Sequence, residues 1–149
     1  MRHTSGGVEV TPLSVAIWRG GLVSGGARAY GRGTKPVKVD QVLILAGPQG
    51  AMKSTCFRTL ASAPWFSDTA IDLRGRDCYQ QIRGVWAYEL AELSSVRPRD
   101  AEHVQAFLSA PTDRYPPPYG PIVADSHRQC AIVGTTTSTI LLNDTHVHR

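Results

Sequence analysis

Long apolar runs are missing from this chain. Nowhere does it hold the roughly 20 consecutive apolar residues that a helix needs to cross a bilayer. The N-terminus also lacks the apolar core of a signal peptide, so a cytoplasmic protein with no membrane partner is expected. Cysteine is scarce: Cys56, Cys78 and Cys130 are odd in number, far apart and form no C-x-x-C pair. That argues against a disulfide scaffold or a zinc site and for plain buried or neutral thiols in a reducing compartment. His103, His127, His146 and His148 show no metal-ligand spacing beyond the i,i+2 pair at the tail, so zinc is not assigned. Charge is sparse too, at 19% of residues against 14 Gly and 10 Pro, which excludes long salt-bridged helices and promises many turns.

What is present suffices for one ordinary domain, since 149 residues with 42% hydrophobic content can bury a core. The formal charge of +4 is uneven: residues 1–50 hold six Lys/Arg against Glu9 and Asp40, and the remainder is nearly balanced. A basic lead-in allows a nucleic-acid partner without requiring one.

Met1 to about Pro12 has no periodicity and reads as a poorly ordered tail. From Leu13 to Tyr30 the apolar residues suggest a helix interrupted at Gly20-Gly21 and Gly25-Gly26. Gly31 to Pro36 reads as a loop. Val42-Leu43-Ile44-Leu45-Ala46 then forms the short continuous apolar run of a strand buried on both faces, ending at Gly47-Pro48. A helix over Lys53–Ala61 follows, closed by Pro64. Asp77–Ile82 reads as a short helix, Gly84–Tyr88 as a second buried strand running into Glu89, and Pro98 opens a helix through Leu108. Pro111–Pro121, with five prolines, reads as an extended loop, and Cys130–Thr135 as a third buried strand. Trp18, Trp65 and Trp86 are read as core anchors rather than a ligand cage. Strands alternating with helices predict a parallel α/β sheet. We divide the chain into 1–38, a basic tail and lead-in helix, and 39–149, the core.

Gly47-Pro48-Gln49-Gly50-Ala51-Met52-Lys53-Ser54 nearly matches G-x-x-x-x-G-K-[ST], and lies between a buried strand and a helix as that motif requires. In such a loop the backbone amides, continued by Thr55, face phosphate oxygens, the lysine (Lys53) reaches the β/γ-phosphates, and the hydroxyl (Ser54) ligates Mg2+. ATP and Mg2+ are therefore the expected cofactors. Met52 stands where the motif has its second glycine; its side chain can obstruct the phosphate or strain a dihedral that glycine favours, which would weaken ATP binding.

Several blocks, in this order, resemble the virulence-associated protein E family, whose members are superfamily-3-like helicase ATPases of phages and mobile elements. They are Val42 to Gly50, Trp65-Phe66-Ser67-Asp68, Gln81 to Leu93, Asp113 to Gly120 and Arg128 to Thr136. The resemblance covers about residues 22–145. It implies a P-loop NTPase fold of the AAA+/superfamily-3 type, with a parallel sheet flanked by helices that here stops short at the C-terminus. It also implies ATP hydrolysis coupled to work on single-stranded or forked DNA in replication of a mobile element, a homo-oligomeric ring and a primase partner. Glu89 and Glu92 fall in the Walker B region, where an acid at a strand's C-terminal end holds the Mg2+ shell and orients the attacking water; Glu89, directly ending the apolar run, is the stronger choice. Thr137 stands where the family usually has an asparagine that senses the γ-phosphate. Arg114, Tyr115 and Tyr119 offer a guanidinium and two aromatic faces suited to phosphate contact or base stacking, although a rigid proline loop with its tyrosines packed on the sheet is the plainer reading. The alternative to an enzyme is a truncated, catalytically impaired P-loop relic or interaction module, suggested by Met52, Thr137 and the early stop.

Overall fold

The computed structural model describes residues 11–31, 35–75, 77–91, 100–115 and 123–137. In chain order come α1 (Pro12–Tyr30), β1 (Leu43–Ala46), α2 (Lys53–Ala61), a 3-10 turn (Ala63–Trp65), β2 (Phe66–Ser67), α3 (Cys78–Gln81) and β3 (Ala87–Leu90). α4 (Ala101–Ser109), β4 (Thr112–Tyr115), β5 (Ala124–His127) and β6 (Ala131–Thr136) follow. Four strands form a parallel sheet in the order β1-β6-β3-β2, flanked by helices, so the expected α/β class is the observed one.

A parallel sheet must cover both faces, and strand alternation sorts the side chains between them. Ala87 on β3 and Val133 on β6 pack with Phe57 and Ala61 of α2 and with Phe66. Tyr88, Leu90 and Ile132 point the other way, against Cys78, Ile82, Phe107 and Cys130. The two-residue period therefore puts Glu89 on the same face as Ala87, beneath α2, with consequences for the site.

The helix expected to break at its glycines does not break. α1 runs unbroken for 19 residues, begun by a capping box in which Thr11 Oγ1 accepts from the Ser14 amide and Ser14 Oγ accepts from the Thr11 amide. Its glycines cost helix propensity, but tertiary packing outweighs them. A Cβ at Gly21 would stand 3.2 Å from the Leu43 side chain, and one at Gly25 would meet Ala131 and Trp86, so bare backbone is what lets α1 lie close on the sheet. Trp86 Nε1 donates to the Gly25 carbonyl at 3.2 Å. Arg28, buried, donates to the carbonyls of Cys130 (3.0 Å) and Leu108 (3.1 Å), tying α1 to the approach of β6 and to α4. Burial, with repulsion from Arg128 added, lowers its pKa from the ordinary arginine value.

The proline segment also departs from expectation. Thr112–Tyr115 is not loop but a strand, pairing antiparallel with β5. Its alternation is what the prolines around it hid: Asp113 and Tyr115 are buried, Arg114 is exposed. Asp113 takes Arg128 Nε on both carboxylate oxygens, at 3.0 and 3.1 Å, and the Arg128 guanidinium lies 4.4 Å over the Phe107 ring while donating to the Phe107 carbonyl. This clasp joins the hairpin to α4.

Smaller corrections have local causes. β3 starts at Ala87 rather than Gly84, because Gly84 sits at φ 78° in a turn. β2 was not foreseen, being two residues long. Trp65 is 57% exposed and anchors no core, whereas Trp18 and Trp86 do pack against the α2-side cluster. Cys56 is exposed, and burial pushes the Cys130 thiol up to about 12 and Cys78 upward. Thr11 and Pro12, read as the end of a tail, cap and open α1. The rest of that tail, the Pro98 helix start, residues 116–122, His146 and His148 lie outside the described residues. Among the described residues no helix is long and apolar enough to cross a membrane.

Candidate functional site

β1, β3 and β6 run parallel, so their C-terminal ends share one edge of the sheet, and the turn after β1 lies along that edge. The Gly47 amide donates to the Thr136 carbonyl at 3.2 Å, pinning the start of the turn to the end of β6. Gly50 then takes φ 81°, open to glycine without strain, and the Ala51 amide closes back on the Pro48 carbonyl at 3.3 Å. Met52 caps α2 in the left-handed conformation, φ 54° and ψ 27°, with no side-chain cap bond. The first amides of α2 have no partner within the helix, which makes this end a set of outward donors.

The left-handed backbone expected to suit glycine here is therefore adopted by methionine, at a cost of roughly 1–2 kcal/mol. Its side chain is 73% exposed and lines a shallow depression with Trp18, Thr55 and Leu60 along the outside of α2. Strain is thus the penalty that the structure carries at this position.

Lys53 opens the helix and folds back over the turn, donating from Nζ to the carbonyls of Gly47 at 2.7 Å and Pro48 at 2.9 Å. Its ammonium group sits in the concavity of the loop. One residue on, Ser54 Oγ donates to Glu89 Oε1 at 2.7 Å across from α2 to β3. Thr135 Oγ1 of β6 donates to the same oxygen at 2.6 Å. Glu89 is 2% exposed, and its second oxygen, Oε2, has no hydrogen-bond partner among the described residues. A buried carboxylate oxygen left unpaired is costly.

The donor set that results is all oxygen, from a serine hydroxyl and a carboxylate, and suits a hard cation such as Mg2+ better than zinc. A hydroxyl that spends its proton on Glu89 also keeps its lone pairs for a metal. Among the described residues no three His, Cys, Asp or Glu side chains come together to hold a metal unaided.

The remaining expected site residues fare differently. Gly47 to Thr55 form the turn and the first turn of α2, and Thr137 follows β6 at the same edge. Glu92 and Tyr119 lie outside the described residues. Arg114 is exposed, 3.7 Å from Asp125 on the neighbouring strand. Tyr115 is 4% exposed, its ring stacked on Tyr79 at 6.2 Å with Arg83 over it, which is the packed arrangement of the plainer reading and not an exposed stacking face. Thr135 was missed as a site residue. The signal was the alternation itself, since Glu89 pairs in register with Val133 and Thr135 is two residues further along the same face.

A family model described as the virulence-associated protein E-like domain matches residues 3–149. No curated protein matches the chain.

Proposed function

The chain belongs to the virulence-associated protein E-like family, and from that premise we propose that it is a P-loop ATPase core that binds Mg2+–ATP at the turn after β1. The observation that carries this reading is the bond from Ser54 of the glycine turn to the buried Glu89 of β3, beside an unpaired carboxylate oxygen. Amides at the start of α2 face the phosphates, and Lys53 supplies the positive charge. A phosphate oxygen, being charged, is a stronger acceptor for Nζ than the carbonyls of Gly47 and Pro48 that now hold it. Ser54 and Glu89 would hold Mg2+, which when bound supplies charge neutralisation for the phosphates. Glu89 orients the attacking water. In this reading the ATPase works on single-stranded or forked DNA during replication of a phage or mobile element, as a homo-oligomeric ring alongside a primase.

Lys53→Ala tests the site. One lost charge-assisted contact of about 1.5–3 kcal/mol weakens ATP binding roughly 10- to 150-fold, measured by fluorescence titration with a labelled ATP analogue. Equal affinity in both proteins rejects the phosphate role of Lys53. One observation favours a second reading, a catalytically impaired copy acting as an interaction module: the strained left-handed Met52 at the mouth of the loop. Under it, the unmodified chain already fails to bind in the same titration.

A further inference from the structure

We propose that Thr135 is a positioning residue for Glu89, and that its hydroxyl decides which carboxylate oxygen is left free to orient the attacking water. The inference rests on the nucleotide-binding reading above and deepens it.

The sheet order places β6 between β1 and β3, so a side chain near the end of β6 stands between the glycine turn and Glu89. Register does the rest. Glu89 is level with Val133, and Thr135 lies one alternation further toward the C-terminal edge, on the same face. Thr135 is buried, and its Oγ1 reaches Glu89 Oε1 at 2.6 Å, the length of a charge-assisted O–H···O bond. Together with Ser54 at 2.7 Å it loads two donors onto one oxygen, while Oε2 takes none among the described residues. A glutamate side chain with free torsions would share its donors between both oxygens. Here the asymmetry fixes the carboxylate plane and singles out Oε2.

The two donors are not equivalent. Ser54 belongs to the ligand-binding turn, so its hydroxyl answers to whatever occupies the site. Thr135 sits near the C-terminal end of β6, a strand paired on both sides, is itself in register with Leu45 of β1, and its χ1 is restricted by β-branching. Its bond to Glu89 Oε1 is therefore expected to persist when nucleotide binds. The neighbouring Thr136 carbonyl receives the Gly47 amide, so the same strand end also sets the height of the glycine turn relative to the carboxylate.

The test uses the full chain with Thr135→Val, which keeps shape and strand preference but removes the donor, and Thr135→Ser, which keeps the donor and removes the methyl. Expected for Val is a fall in kcat for ATP of about 10- to 100-fold, the usual cost of losing an orienting outer contact, with KM for ATP within about threefold. Ser is expected to restore kcat to within about threefold of the parent. Parent-like turnover by Val, or equal losses in Val and Ser, overturns the inference while leaving the ATPase reading intact. Should the parent bind ATP without hydrolysing it, the hydrolytic reading falls and the metal carries the test. The Mn2+ affinity of the ATP complex, read by electron paramagnetic resonance, is then expected to weaken about tenfold in Val and recover in Ser. Unchanged Mn2+ affinity overturns the inference, and a parent that binds no nucleotide overturns both.

Discussion

Glu89→Gln is expected to lower ATP turnover by about 10²- to 10⁴-fold, the range seen when a positioned acid–base group is removed, with a smaller loss of Mg2+-dependent ATP affinity of about tenfold at most. Glutamine has nearly the same shape, and its carbonyl oxygen can still accept from Ser54 and Thr135, so the two contacts to Oε1 survive. What changes is the other position, where an unpaired carboxylate oxygen becomes an NH2 donor that cannot orient an attacking water by accepting from it. Phosphate release under saturating ATP separates the outcomes. Turnover within about threefold of the parent would remove Glu89 from the chemistry and leave its buried charge unexplained.

The second large effect concerns stability. Asp113→Ala removes the only carboxylate bonded to Arg128 among the described residues, leaving a fully buried guanidinium with just the Phe107 carbonyl and ring. Arg28 lies near enough to repel it, and the substitution removes the negative charge that offsets this repulsion. Breaking one partner of a buried pair costs about 3–5 kcal/mol. Against a domain stability of about 5–15 kcal/mol that is about a fifth or more, and corresponds to a melting-point drop of about 6–20 °C. Asp125→Ala is the matched control: its exposed pair with Arg114 in the same hairpin is worth under about 1 kcal/mol, and a change of a few degrees at most is expected. A thermal melt by circular dichroism compares the two, and equal shifts would mean that the Asp113–Arg128 clasp does not hold the hairpin to α4.

The sequence announces most of what builds the site. A continuous apolar run, a glycine turn and a helix beginning at Lys53 were legible because each has its own local chemistry, and α2 begins and ends where the spacing predicts. Glu89 was legible because an acid directly follows an apolar run. Thr135 was not, because its role depends on β6 lying between β1 and β3, a pairing between residues 46 positions apart that no local pattern encodes. The glycines of α1 misled for the same reason: their cost is local, while the close approach to Leu43 and Ala131 that offsets it is tertiary. Prolines hid β4, since turn residues dominate a window whose four strand residues alternate correctly but briefly. Buried Arg28 and Arg128 reverse the ordinary expectation for arginine, and only the carbonyls and carboxylate that converge on them explain it.

The central claim is a metal-assisted nucleotide site joining Lys53, Ser54 and Glu89, and calorimetric titration of ATP into the full chain, with Mg2+ and again with excess EDTA, tests it most directly. Saturable binding to one site that weakens about tenfold or more without the metal is the predicted result. Binding of equal strength in both titrations, or no binding heat in either, would contradict it.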